Sequence, residues 1–102
     1  MKSKMTDMYR AFDVWKRSGS HLLVRYRCFE DLGTGMFCVQ SADFYKSPVS
    51  DDRVQELETQ YLELLLEESP FKRSGSFSTI DEAILDHIET FDVAERARQA
   101  KR

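Results

Sequence analysis

Cysteine is scarce in this sequence, and long apolar runs are missing from it. The 102 residues include only two cysteines, Cys28 and Cys38, too few to staple a small secreted domain. Apolar runs such as residues 64–66 fall far short of the roughly 20 residues that a membrane-spanning helix needs. The basic N-terminus leads into Thr6 and Asp7 instead of an apolar signal-peptide core. We therefore expect a cytoplasmic protein that does not enter a membrane.

Motifs of several enzyme classes are also missing. Gly33 and Gly35 precede a predicted strand, whereas a phosphate-binding loop needs a glycine-rich turn that opens a helix. No Cys-x-x-Cys or His-x-x-x-His pair, typical of zinc sites, and no Gly-x-Ser-x-Gly nucleophile elbow occurs. His21 or His87 could activate a cysteine only if the fold brought the two side chains together, and their spacing in the sequence does not indicate this. We expect no enzyme activity, no metal and no cofactor.

The first half of the chain predicts a small antiparallel sheet. Residues 21–30 and 36–45 are rich in β-branched and aromatic residues and flank a glycine-containing turn, which indicates a hairpin. Residues 12–16 alternate apolar and polar side chains and predict a preceding strand. A helix competes with that strand, because apolar residues also recur at helical spacing: Met5, Met8, Tyr9, Phe12 and Trp15.

The two cysteines lie in the predicted hairpin. If the hairpin is centred on Gly33, Cys28 and Cys38 stand opposite each other on one face of the sheet. They could then form a cross-strand disulfide or remain as two reduced core thiols. The register itself stays open, since a slip of one residue would exchange the two faces.

Two amphipathic helices are predicted in the second half. Ser50 or Asp51 can cap the first, whose apolar stripe is Val54, Leu57, Tyr61, Leu64 and Leu65. Leu62 and Leu66 widen that stripe, so we expect the C-terminal half of the helix to pack against more than one neighbour. After a loop at residues 69–77, either Ser78 with Asp81 or Thr79 with Glu82 has capping-box spacing, ahead of the second stripe of Ile80, Ala83, Ile84, Ile88 and Phe91.

These elements predict an α+β fold, in which a small antiparallel sheet of two or three strands in a meander precedes two amphipathic helices packed on one of its faces. Residues 1–93 form one domain on this interpretation. Residues 94–102 are basic and contain little to bury, so we expect them to be a fraying helical tail.

Charge is distributed unevenly along the chain. Residues 1–27 hold seven bases and two acids, whereas residues 43–95 hold fourteen acids and four bases. Such opposed potentials steer charged partners, although solvent-facing helices commonly carry charge as well. We expect a protein-binding module of adaptor or inhibitor type that uses charged surfaces, and the candidate contact residues are Glu56, Glu63, Glu67, Arg25, Arg27 and Trp15.

Other functions compete with this one. Basic residues alternate with Trp15 and Tyr26 on the predicted strands, as in single-strand nucleic-acid binders: Lys16, Arg17, Arg25 and Arg27. A pI near 5.4 nevertheless makes nucleic acid an unfavourable partner. Arg25 and Arg27 could instead pair with carboxylates of the acidic helices or of a partner. A pocket between sheet and helices would suit a small-ligand carrier or enzyme, and an exposed sheet edge would allow a homodimer.

Overall fold

The computed structural model describes the backbone of residues 5–100 and the side chains of residues 5–90. Three antiparallel strands form a meander in the order β1-β2-β3, and helices follow. The strands are β1 (Tyr9–Ser18), β2 (Leu22–Asp31) and β3 (Phe37–Lys46), and the helices are α1 (Asp51–Glu67), α2 (Pro70–Ser74) and α3 (Ile80–Ala100). The predicted α+β class with a three-stranded meander is confirmed.

The first segment is a strand and not a helix. Tyr9 to Ser18 pair residue by residue with β2, from Tyr9 opposite Asp31 to Ser18 opposite Leu22. The helical spacing of its apolar residues is overridden because Phe12 and Val14 pack against the sheet core, whereas Trp15 remains half exposed. Alternation with a period of two matches such one-sided burial.

The second hairpin carries a β-bulge that separates the two cysteines. Arg27 lies opposite Ser41, but its neighbour Cys28 lies opposite Val39, so one residue of β3 has no counterpart. Cys38 is therefore opposite Phe29, and the two cysteines project from opposite faces of the sheet. The predicted opposition of Cys28 and Cys38 is wrong, because it assumed a hairpin without a bulge. Both thiols are free and buried.

We expect both thiols to resist modification in the folded protein. Burial, above all, raises the pKa of each thiol to about 12, and the thiolate is the reactive species. Titration of the native chain with a thiol reagent at pH 8 should detect almost no reactive sulfur, and the same titration in denaturant should detect two. Fast reaction of either cysteine without denaturant would contradict this prediction.

The caps of the helices follow the sequence signals, and one predicted loop contains a helix. Ser50 accepts a hydrogen bond from the Arg53 amide at 3.2 Å and caps α1. Thr79 does the same for the Glu82 amide, also at 3.2 Å, at the start of α3. The segment 69–77 is not entirely loop, since Pro70–Ser74 forms α2, with Ser69 as its cap. Proline suits the first turn of a helix, where its missing N–H costs nothing.

The sheet is covered on both faces. Val24, Tyr26 and Cys28 of β2 form a cluster with Ala83 of α3, and we call this side the α3 face. The odd-numbered residues of β2 point the other way, where Arg27 and Phe29 contact Tyr61 of α1; this side is the α1 face. The helices thus lie on opposite faces, whereas the sequence suggested one face. The reason is that β2 has buried side chains on both sides, with Tyr26 and Cys28 on one and Arg27 and Phe29 on the other.

The remaining predictions concern the chain ends and membranes. Helix α3 continues to Ala100, so the helix does not end at residue 94. The side chains of residues 94–102 lie outside the described part of the chain, and the fraying of this tail stays a prediction. Within the described residues, no helix has the length and apolar content to cross a bilayer.

Candidate protein-binding surface

Arg27 is the centre of an ion-pair network on the α1 face. Its side chain is only 2% exposed, and its Nε donates a hydrogen bond to Asp43 at 2.7 Å. Its Nη2 donates to Glu58 of α1 at 3.0 Å, and its guanidinium lies 4.3 Å from the centre of the Tyr61 ring. Burial alone would lower the pKa of Arg27, but the hydrogen bonds to the two carboxylates outweigh it and the pKa is raised. Arg27 therefore joins sheet and helix as a permanent cation.

Arg25 lies next to this network and is more accessible. Its Nη2 donates a hydrogen bond to Asp13 of β1 at 2.8 Å, and Glu58 is 3.8 Å from its Nη1. The hydrogen bond to Asp13 is the largest reason that the pKa of Arg25 is raised. The predicted internal pairing of both arginines with carboxylates is thus observed, and one of those carboxylates, Glu58, comes from an acidic helix.

Trp15 belongs to β1, and its ring leans across β2 on the α1 face towards β3. Arg25 lies 5.2 Å from its ring centre, within the range of a cation–π contact. The ring of Tyr45, on β3, has its centre 5.8 Å from that of Trp15. Even so, Trp15 is 51% exposed. Arg25 and Trp15 are therefore available at the surface, and Arg27 is not.

The three candidate glutamates lie on the outside of α1. Glu63 and Glu67 follow Glu56 by about two and three helical turns, so the three glutamates share one stripe of the helix. All three are exposed. Glu56 is 3.5 Å from Arg53, and Glu67 is 3.8 Å from Arg73. Such exposed pairs are weak and leave the carboxylates accessible to a partner.

Two leucines lie beside this acidic stripe. Leu62 is 51% exposed and Leu66 is 86% exposed, and their spacing of one turn makes them neighbours on the helix surface. Both leucines therefore lie outside the buried part of α1, in which Leu57 alone is fully buried. The expectation that the C-terminal half of α1 packs against more than one neighbour stays a prediction. We call Leu62, Leu66, Glu56, Glu63 and Glu67 the α1 outer surface.

The site residues thus form two groups. Arg25, Arg27 and Trp15 lie together on the α1 face, where only Arg27 is buried under α1, and the glutamates lie on the outside of α1. Sequence reasoning missed Asp43 and Glu58, which link the arginines to the rest of the fold. A signal existed for Asp43, an acid in a strand of largely apolar residues; Glu58 carried none, because it resembles every other glutamate of its helix.

The described residues are not arranged as a metal site or as a site with an activated thiol. No group of three or more histidine, cysteine, aspartate or glutamate side chains there is placed to hold a metal ion. Cys28 and Cys38 face opposite sides of the sheet. His87 lies edge-on to Tyr26 on the α3 face, 6.1 Å between ring centres, and burial lowers its pKa.

A surface depression of about 640 Å³ lies at one end of the sheet. It is bordered by the end of β3 and the connection to α1, with Phe44, Tyr45, Pro48 and Val49 in its lining. The ligand-carrier hypothesis placed a pocket between sheet and helices. This depression instead opens beside them, whereas smaller depressions of about 260 and 170 Å³ lie between β3 and α1 and between the sheet and α3.

Comparison of the chain with protein-family models, with curated protein sequences and with solved structures gives no match.

Proposed function

We propose that this chain is a non-catalytic protein-binding module, of adaptor or inhibitor type, whose α1 outer surface binds a basic protein partner. The observation that carries the proposal is the exposure of Leu62 and Leu66 next to three accessible glutamates. An apolar centre with a charged rim is the usual anatomy of a protein interface. Isolated exposed leucines are common, but two adjacent ones on an acidic helix are a more specific arrangement.

Electrostatics favours a basic protein over nucleic acid as the partner. Helix α1 carries Asp51 and Asp52 in its first turn and no base in its last turn, so it repels phosphates and attracts lysine and arginine. The nucleic-acid alternative relies on a basic strand face, formed by Lys16, Arg17, Arg25 and Arg27, and on the basic tail. Burial of Arg27 under α1 removes one of these four strand bases from the surface.

The cytoplasm is the compartment we propose for this interaction. Two free, buried thiols suit a reducing environment, where no disulfide is needed for stability. The acidic surface and the raised thiol pKa values both fit a role in binding and not in redox chemistry.

Charge reversal on α1 tests the proposal. A partner captured from the native host would be purified and titrated with the chain carrying Glu56→Lys, Glu63→Lys and Glu67→Lys. We expect the association rate at low salt to fall about tenfold or more, because steering is lost, and the effect to shrink as salt increases. The Leu66→Ala variant should instead raise the dissociation rate, because it removes a short-range apolar contact.

The matched control reverses three acids of α3, with Asp81→Lys, Asp86→Lys and Glu89→Lys. These residues are exposed, and the change in net charge is the same as in the α1 variant. Binding of the partner should be largely retained. Equal losses in both variants would indicate a nonspecific charge effect, and full binding by the α1 variant would remove the α1 outer surface from the interface.

A further inference from the structure

Strand β1 forms a long open edge of the sheet. All ten residues pair with β2 without a bulge, and no described residue pairs with the other side of β1. A regular edge strand of this length is a template for strand addition. We propose that β1 pairs antiparallel with β1 of a second copy of this chain, which would join two sheets into one of six strands.

The hydrogen-bond pattern shows which residues of β1 would make this pairing. The Leu32 amide donates to the Met8 carbonyl at 3.0 Å, one pair beyond Tyr9 and Asp31. Bonded pairs alternate along an antiparallel ladder, so the even-numbered residues of β1 bond to β2. The backbone N–H and C=O groups of Ala11, Asp13, Trp15 and Arg17 therefore point outwards, towards a second strand.

Charge and aromatic complementarity select one register. When the two-fold axis passes through Trp15, each Trp15 stands opposite its copy and each Asp13 stands opposite Arg17 of the second copy. Oppositely charged and aromatic pairs are the favourable cross-strand pairs. This register places no like charges opposite each other, and it sets the half-exposed Trp15 residues of the two copies side by side at the centre of the pairing.

Neighbouring registers are less favourable. An axis through Asp13 would oppose the two Asp13 carboxylates and set Arg10 against Lys16, which places like charges directly opposite each other. An axis through Val14 would form no direct ion pair. The second copy is therefore favoured as the occupant by the pattern of β1 itself, in which an acid and a base are placed symmetrically about Trp15.

Sedimentation and fluorescence of the full chain test this dimer. Trp15 is the only tryptophan, so all tryptophan emission comes from a residue at the centre of the proposed interface. We expect a dimer that dissociates on dilution, with a red shift of the emission at the same midpoint as the loss of dimer mass. A monomer at every concentration up to about 1 mM, or a dimer whose tryptophan emission does not change on dilution, would overturn the proposal.

A pair of adjacent charge variants tests the register. Arg17→Asp places an acid opposite Asp13 of the other copy, so two like charges face each other at each of the two equivalent pairs. The dissociation constant should then rise about tenfold or more. Lys16→Asp makes the same charge change on the α3 face, opposite Val14, and should alter the constant by no more than about threefold. Both residues are exposed, and circular dichroism would verify folding.

Other outcomes separate this dimer from the proposed function. Equal weakening by Arg17→Asp and Lys16→Asp would refute the register, and an unaffected Arg17→Asp dimer would refute the β1 interface. The α1 charge reversals should leave the dimer intact, because those glutamates lie on the outside of α1 and not at the β1 edge. A chain that dimerises through β1 but fails to bind a basic partner would contradict only the proposed function.

Discussion

Replacement of Arg27 by alanine should lower the free energy of unfolding by about 3 to 5 kcal/mol, because it leaves a buried carboxylate without its counter-charge. Asp43 is 6% exposed, and Arg27 Nε is its ion-pair partner at 2.7 Å. Glu58 would lose its contact as well, but it is half exposed and water can solvate it. Equilibrium denaturation with urea would measure the change, and the melting temperature should fall by roughly 12 °C or more.

A double variant separates the charge effect from the loss of packing. Arg27→Met with Asp43→Leu removes both charges and keeps most of the volume, and replacement of a buried ion pair in this way is often neutral or stabilising. We expect it to recover most of the stability lost in Arg27→Ala. Equal destabilisation in the double variant would mean that packing, and not the unpaired carboxylate, dominates the cost.

Phe29→Ala should have an effect of similar size, about 3 to 5 kcal/mol. Phe29 is 1% exposed and lies between the rings of Tyr9 and Tyr61, with ring centres at 6.1 and 6.0 Å. Tyr61 belongs to α1, so the cavity would also weaken the attachment of that helix to the sheet. Hydrogen exchange should become faster in α1 than in α3, since α3 packs on the other face.

Phe44→Ala is the matched control for this prediction. Phe44 also lies in the sheet but is 41% exposed, so its removal should cost less than about 1.5 kcal/mol. Comparable losses at the two positions would contradict the assignment of Phe29 to the buried contact with α1. Uniform acceleration of exchange in both helices would show instead that the whole domain unfolds as one unit.

Local signals predicted most of the elements. Alternating apolar residues indicate β1, and β-branched and aromatic residues indicate β2 and β3. The hydroxyl side chains of Ser50 and Thr79 cap α1 and α3 at predicted places. These features depend on neighbours in sequence, so a single chain displays them directly. The short helix α2 was missed because its Pro, Ser and Gly content is also that of a loop.

The candidate site was less predictable. The arginine candidates were chosen because they share one strand face, which the structure confirms, but their burial differs sharply. Arg27 lies under Tyr61 and Glu58 of α1, whereas Arg25 stays near the surface beside Trp15. Strand parity places side chains on a face, but it does not show where along that face a helix will lie.

By itself, then, the sequence determined the α+β class, the meander, the helix caps and the solvent-facing glutamates, since all of these arise from contacts between residues close in the chain. Only the tertiary structure decided that Cys28 and Cys38 part to opposite faces, that α1 and α3 cover different sides, and that Leu62 and Leu66 stay exposed. The physical reason is that the bulge in β3 changes which side chains share a face, and that the place where a helix lies on the sheet depends on packing between segments distant in sequence, which no local pattern encodes.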